Sequence, residues 1–191
     1  MKRSIFAAVA VLLMATTAQA GQITKLYSSS WWNAWYDASN HDGNPMCVMA
    51  AKFAWADGAI GRAHVKWTVR GGAFLQVWKS NWTLPKGSTV SMSVTFIDFD
   101  RDAPPQTITA NAKTVSERSL ISFDIRAEDL VPILGLFGDA EKMTINFPQG
   151  NEPQWTAKID GSRKAASSFA QCIAALGITP YSSIAPTQPA F

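Results

Sequence analysis

The chain has 191 residues with 17 Lys+Arg against 14 Asp+Glu, a formal net charge of +3. That length suits one domain with a full core. The small charge excess gives no electrostatic reason to expect nucleic acid or an anionic membrane as partner.

The first twenty residues read as a secretory leader. Lys2 and Arg3 precede an apolar run, Ile5 to Met14, and Ala18-Gln19-Ala20 places small residues at the positions a signal peptidase reads. Cleavage is expected after Ala20, and the short charged end points to a bacterial periplasm or medium. Both leader charges belong to the basic count, so processing would leave 15 basic against 14 acidic residues. No later apolar stretch reaches the ~18–20 residues of a membrane span. The expected division is leader 1–20, one domain 21–177, and a tail 178–191 carrying Pro180, Pro186 and Pro189.

Trp31, Trp32 and Trp35 cluster at the start of the mature chain; as a strand, Trp31 and Trp35 share one face and Trp32 takes the other. A polar turn, Ser39 to Asn44, contains His41. Met46 to Phe53 is an apolar stretch with Cys47 near its start. Arg62 to Arg70 alternates, with Ala63, Val65, Trp67 and Val69 opposite His64, Lys66 and Thr68; Gly71-Gly72 then signals a hairpin into Ala73–Lys79. Trp78 and Trp82 bracket Lys79-Ser80-Asn81. Alternation returns in Val90–Phe96, and shorter strands follow at 107–112, 120–125, 143–147 and 155–159. Turn residues such as Pro85-Lys86-Gly87 and Asn151-Glu152-Pro153 punctuate these runs.

Two helices interrupt the strands. Glu128–Phe137 has helical spacing, with Asp129 as expected N-cap because Pro132 needs an early position. The second runs from a Ser162 cap to a Gly177 stop, with Phe169, Cys172, Ile173 and Leu176 on one stripe. The chain thus reads as mainly β: an antiparallel β-sandwich with a packed C-terminal helix and one shorter helix.

Cys47 and Cys172 are the only cysteines. In an exported chain they are expected to pair, pinning the last helix to an early strand; the alternative is two buried free thiols.

Catalytic signals are weak. His41 and His64 are the only histidines, and no G-x-S-x-G, H-E-x-x-H or P-loop appears. Asp98, Asp100 and Asp102 alternate like the opening of a calcium loop, but the sixth and twelfth positions hold Ala103 and Thr109 instead of Gly and Glu. A solvated edge-strand end that discourages pairing explains them better. No cofactor is implied. The eight tryptophans are the main lead. They either fill the core or bind a sugar face or a partner protein, and Trp31, Trp32, Trp35, Trp78 and Trp82 are the candidates for binding.

Short motifs add a family resemblance. Pro45-Met46-Cys47-Val48-Met49 comes early and Trp82-Thr83-Leu84-Pro85-Lys86-Gly87 precedes a strand. Met143-Thr144-Ile145-Asn146-Phe147-Pro148, Asp160-Gly161-Ser162 and Ala165-Ala166-Ser167-Ser168-Phe169-Ala170-Gln171-Cys172 come late. This layout resembles the invasion-associated locus B family of small exported bacterial proteins. The resemblance implies a periplasmic or envelope β-sandwich with a late helix, taking part in host interaction or envelope maintenance, and supplies no catalytic residues. The expected function is therefore a non-catalytic binding protein whose partner is an envelope or host protein. A carbohydrate-binding module and an unspecified hydrolase are the alternatives.

Overall fold

The computed structural model describes residues 23–38, 44–85, 87–98, 104–115 and 120–177. The leader, His41, Asp100, Asp102 and the tail 178–191 lie outside them.

The strands are β1 (Ile23–Ser28), β2 (Trp32–Asp37), β3 (Met46–Ala54), β4 (Ile60–Thr68), β5 (Gly72–Lys79), β6 (Thr89–Ile97), β7 (Gln106–Thr114), β8 (Leu120–Ile125), β9 (Lys142–Asn146) and β10 (Trp155–Lys158). The helices are α1 (Ala127–Asp139) and α2 (Ser162–Ala175). The fold is mainly antiparallel β with two helices. In place of two separately bonded layers, all ten strands join one sheet in the order β1-β2-β3-β4-β5-β8-β7-β6-β9-β10. Strand twist lets so long a sheet curl, and its far edge returns to its beginning. The Trp32 indole N–H in β2 donates to the Lys158 carbonyl in β10 at 2.8 Å, and the rings of Phe53 and Trp155 lie 5.0 Å apart.

Alternation sorts the side chains. Ala63, Val65 and Trp67 of β4 are buried in the core, as are Ala73, Leu75 and Val77 of β5 and Met92, Val94 and Phe96 of β6. The β4–β5 turn departs from expectation. β4 ends at Thr68, whose hydroxyl accepts from the Gly71 N–H at 2.9 Å. Val69 therefore falls in the turn, 47% exposed, instead of continuing the core stripe.

Both helices pack on the core side. Phe137 of α1 wedges between Trp32 and Phe96, with centroids 5.4 and 4.9 Å away. α1 begins earlier than the sequence suggested, with Arg126 at the N-cap. Asp129 lies in the first turn and binds the Arg126 guanidinium at 2.6 Å, so a side-chain ion pair replaces the expected cap. α2 is entered through Gly161, at φ 91°. A Cβ there would stand 2.7 Å from the Tyr27 hydroxyl, so both the conformation and the close approach call for glycine. Ser162 is thus the first helical residue and not the cap. Its hydroxyl donates to the Phe137 carbonyl, and Arg163 donates to the Gly138 carbonyl at 2.8 Å. The start of α2 so satisfies the carbonyls that the end of α1 leaves open.

Cys47 of β3 and Cys172 of α2 form a disulfide, Cα–Cα 6.0 Å, across 125 residues. It fastens α2 onto β3 beside fully buried Phe169 and Ile173.

Candidate functional site

Core-face alternation in β5 runs Ala73, Leu75, Val77 and then Lys79, which places an ammonium where a hydrophobe is expected. Lys79 is only 7% exposed, and a buried charge must be paired. Glu152, on the loop between β9 and β10, accepts from Nζ at 2.6 Å. The same Oε1 accepts from the Trp155 indole at 2.8 Å, and Oε2 accepts from the Trp82 indole at 2.8 Å. The Lys79 ammonium also sits 4.5 Å from the centre of the Trp55 ring, a cation–π contact. Gly61 makes room for that ring: a Cβ there would lie 2.8 Å from Trp55 and 2.9 Å from the Trp78 carbonyl.

The rings form a continuous cluster. Trp155 lies 4.8 Å from Trp55, 5.3 Å from Trp82 and 5.6 Å from Phe147. Burial works to raise the Glu152 pKa. The hydrogen bonds from Lys79, Trp82 and Trp155, with the Lys79 charge, outweigh it and hold the carboxyl below its ordinary value.

Beside this network a cleft of about 510 Å³ opens at the end of the curled sheet, a size suited to a small ligand. Leu84, Val90, Ile121 and Phe147 give it an apolar floor. Asn81, Thr83, Ser91, Gln149 and Asn151 supply amides and hydroxyls at its wall. Glu152 is the one carboxylate among the described lining residues. It is anionic and already accepts three hydrogen bonds, so it suits orienting a ligand better than donating a proton. The second carboxylate of a glycosidase pair is not among these residues.

The tryptophans read from the sequence fall into three environments. Trp82 lines the cleft. Trp32 is 1% exposed, with its N–H spent on Lys158. This corrects its place among the binding candidates, because the sheet closes over its ring. Trp31 is 38% exposed, and Trp35 and Trp78 are half-buried. Trp35 and Trp78 point away from the core, on the opposite face of the sheet from the cleft floor.

His64 stands on that outer face, with its ring 5.9 Å from Trp35. Burial, then the charges of Lys66 and Arg62, lower its pKa to about 3. Asp98 borders a separate hollow of about 120 Å³ together with Asp139. Among the described residues no cluster of three or more His, Cys, Asp or Glu side chains could hold a metal ion. Among them, too, no helix is long and apolar enough to cross a membrane.

Lys79, Glu152, Trp55 and Trp155 were not singled out in the sequence. The available signal was Lys79 itself, the charged residue continuing the apolar parity of β5. Compared with known proteins, the chain matches no family model, no curated protein and no solved structure.

Proposed function

We propose that the protein is an exported, non-catalytic binding protein of the bacterial envelope, with the Trp82–Glu152 cleft as its ligand seat. The leader-like first twenty residues and the Cys47–Cys172 bridge support export to an oxidising compartment. The resemblance of its short motifs to the invasion-associated locus B family points the same way. One observation carries the binding reading. The cleft combines an apolar, aromatic wall with amides, hydroxyls and a carboxylate fixed by three N–H donors. Such a surface suits a small hydroxylated ligand, a sugar above all, because an aromatic ring packs on its C–H face while polar groups meet its hydroxyls.

Titrating soluble glycans against intrinsic tryptophan fluorescence tests this. Saturable quenching or a shift is expected, and it should weaken in Asn151→Ala and Gln149→Ala. Silence across a broad glycan panel would remove the carbohydrate reading. Turnover of a bound glycan would remove the non-catalytic one.

A further inference from the structure

The outer face of the sheet forms a second surface, separate from the cleft. Cross-strand register sets its side chains in rows perpendicular to the strands. The middle row is mostly polar: Asn33, the buried Ala50, His64, Gln76, Ser122 and Lys113 are successive partners across β2, β3, β4, β5, β8 and β7. Five strand spacings make it about 24 Å long. On one side of it Lys52, Arg62 and Trp78 are successive partners across β3, β4 and β5; on the other Trp35, Val48, Lys66 and Phe74 are partners across β2 to β5. Trp31 extends the first flank, sharing a hollow of about 250 Å³ with Lys52 and Arg62.

Two features of this face point to a ligand. Its charge is unbalanced: Lys25, Lys52, Arg62, Lys66 and Lys113 stand against Asp37 and Asp124. The aromatic rings of Trp35, Phe74 and Trp78 are half-exposed although the helices of the fold pack on the other side. Its centre is closed: Val48 and Ala50 are buried, as are His64 Nδ1 and Gln76 Oε1, so a ligand would rest on the cations and rings that flank it. Cations and ring faces, set in parallel rows, match two chemistries of an acidic sugar polymer: its carboxylates and the C–H faces of its rings.

We infer that this outer face binds an anionic polysaccharide lying across the strands, with its acid groups on Lys52, Arg62 and Lys66 and its sugar rings on Trp35 and Trp78. A peptide strand is a poorer occupant, because strand addition needs a free sheet edge and this is a sheet face. Export, on the function proposed above, favours a surface polysaccharide over a nucleic acid, and the oligonucleotide enters the test as the competing polyanion.

Affinity electrophoresis and calorimetry with polygalacturonate, neutral dextran and a single-stranded oligodeoxynucleotide test the assignment. Polygalacturonate should bind, dextran should not, and the affinity should fall with added salt. Lys52→Gln/Arg62→Gln should weaken polygalacturonate at least about tenfold, the loss of two charge-assisted contacts. Trp78→Ala should weaken it several-fold. Lys158→Gln/Lys164→Gln, equal in charge but on β10 and α2, should change it less than about twofold. Far-UV circular dichroism checks that each variant is folded, and the charge pair carries the test if Trp78→Ala does not fold. Failure of polygalacturonate to bind, equal binding of dextran, tighter binding of the oligonucleotide, or equal losses in the two charge pairs would each overturn the assignment. None of these results depends on whether the cleft binds its own ligand.

Discussion

Glu152→Gln tests the ion pair that builds the cleft. The substitution keeps the side chain's shape but removes its charge and replaces one acceptor with a donor. The amide must then turn its N–H₂ toward either the Trp82 indole or Lys79 and Trp155, all of which donate. Lys79, 7% exposed, then keeps at best a neutral amide oxygen beside the Trp55 ring, and in the other orientation the ring alone. Removing one member of a buried pair costs about 3–5 kcal/mol. Glu152 is 17% exposed beside an open cleft, so water reaching its position lowers the expected loss to about 2–4 kcal/mol. Lys79→Met should cost less, about 1–3 kcal/mol, because the carboxylate keeps two indole donors and the methionine fills the stem's volume. The double variant should lose at least about 1 kcal/mol less than the sum of the two. Urea unfolding followed by far-UV circular dichroism measures all three without relying on the site's own fluorophores. Additive losses, or a Glu152→Gln cost under about 0.5 kcal/mol, would refute the claim that this pair is a coupled buried unit.

Three other outcomes follow from the packing. His64 has its pKa lowered by burial, then by Lys66 and Arg62, from 6.5 to about 3. The unfolded chain therefore binds a proton that the native state refuses as pH falls below 6.5. Stability should drop by about 2 kcal/mol between pH 7.5 and 5, and His64→Gln should flatten that part of the profile in urea titrations. The sign for Glu152 differs in its window: its pKa lies below the ordinary 4.5, so its contribution is full above that value and disappears only as pH falls through the lowered pKa. For the disulfide, non-reducing mass spectrometry should give a mass two hydrogens below the dithiol. Cys47→Ala/Cys172→Ala should lose up to about 4–5 kcal/mol, the chain-entropy value for its 125-residue separation; a loss near zero would deny the bridge its stabilising role. Gly161→Ala should destabilise by about 1–3 kcal/mol through its positive φ and the Tyr27 hydroxyl, and Tyr27→Phe in the same chain should recover only the steric part.

Legibility in the sequence followed the range of the interactions. Strands β4 to β8 announce themselves because each buries one face, and period two is written locally in residues such as Ala63, Val65 and Trp67. β8 is read at its observed bounds, Leu120–Ile125. The pairing of Cys47 with Cys172 was legible because no other cysteine competes. β1 was invisible: Ile23–Ser28 is an edge strand exposed along nearly all its length, so it carries no alternation to detect. How the strands join was also hidden. Periodicity tells which face is buried but not that β5 pairs with β8 and β6 with β9, and those two pairings make one curled sheet of what reads as a sandwich. The cleft depends on a contact between residues 73 positions apart, Lys79 and Glu152. Neither end signals the other in sequence.

The distribution of the tryptophans shows how much rests on register. Trp32, Trp67 and Trp155 lie in the core. Trp82 lines the cleft and Trp55 packs on the Lys79 ammonium beside it, and Trp31, Trp35 and Trp78 belong to the outer rows. In β2 this sorting depends on parity alone, because a one-residue slip exchanges the two faces of a strand. Such a slip would turn Trp35 into the core and Trp32 out to solvent, costing the core one of its largest fully buried side chains. Two long-range fastenings oppose it. The Trp32 indole reaches the Lys158 carbonyl only in the observed register. The Cys47–Cys172 bridge holds β3, and with it the Tyr36↔Cys47 pairing that aligns β2. The buried tryptophan and the disulfide thus do more than stabilise the core: by fixing β2 against β3 they also decide that Trp35 and the cationic rows face outward together.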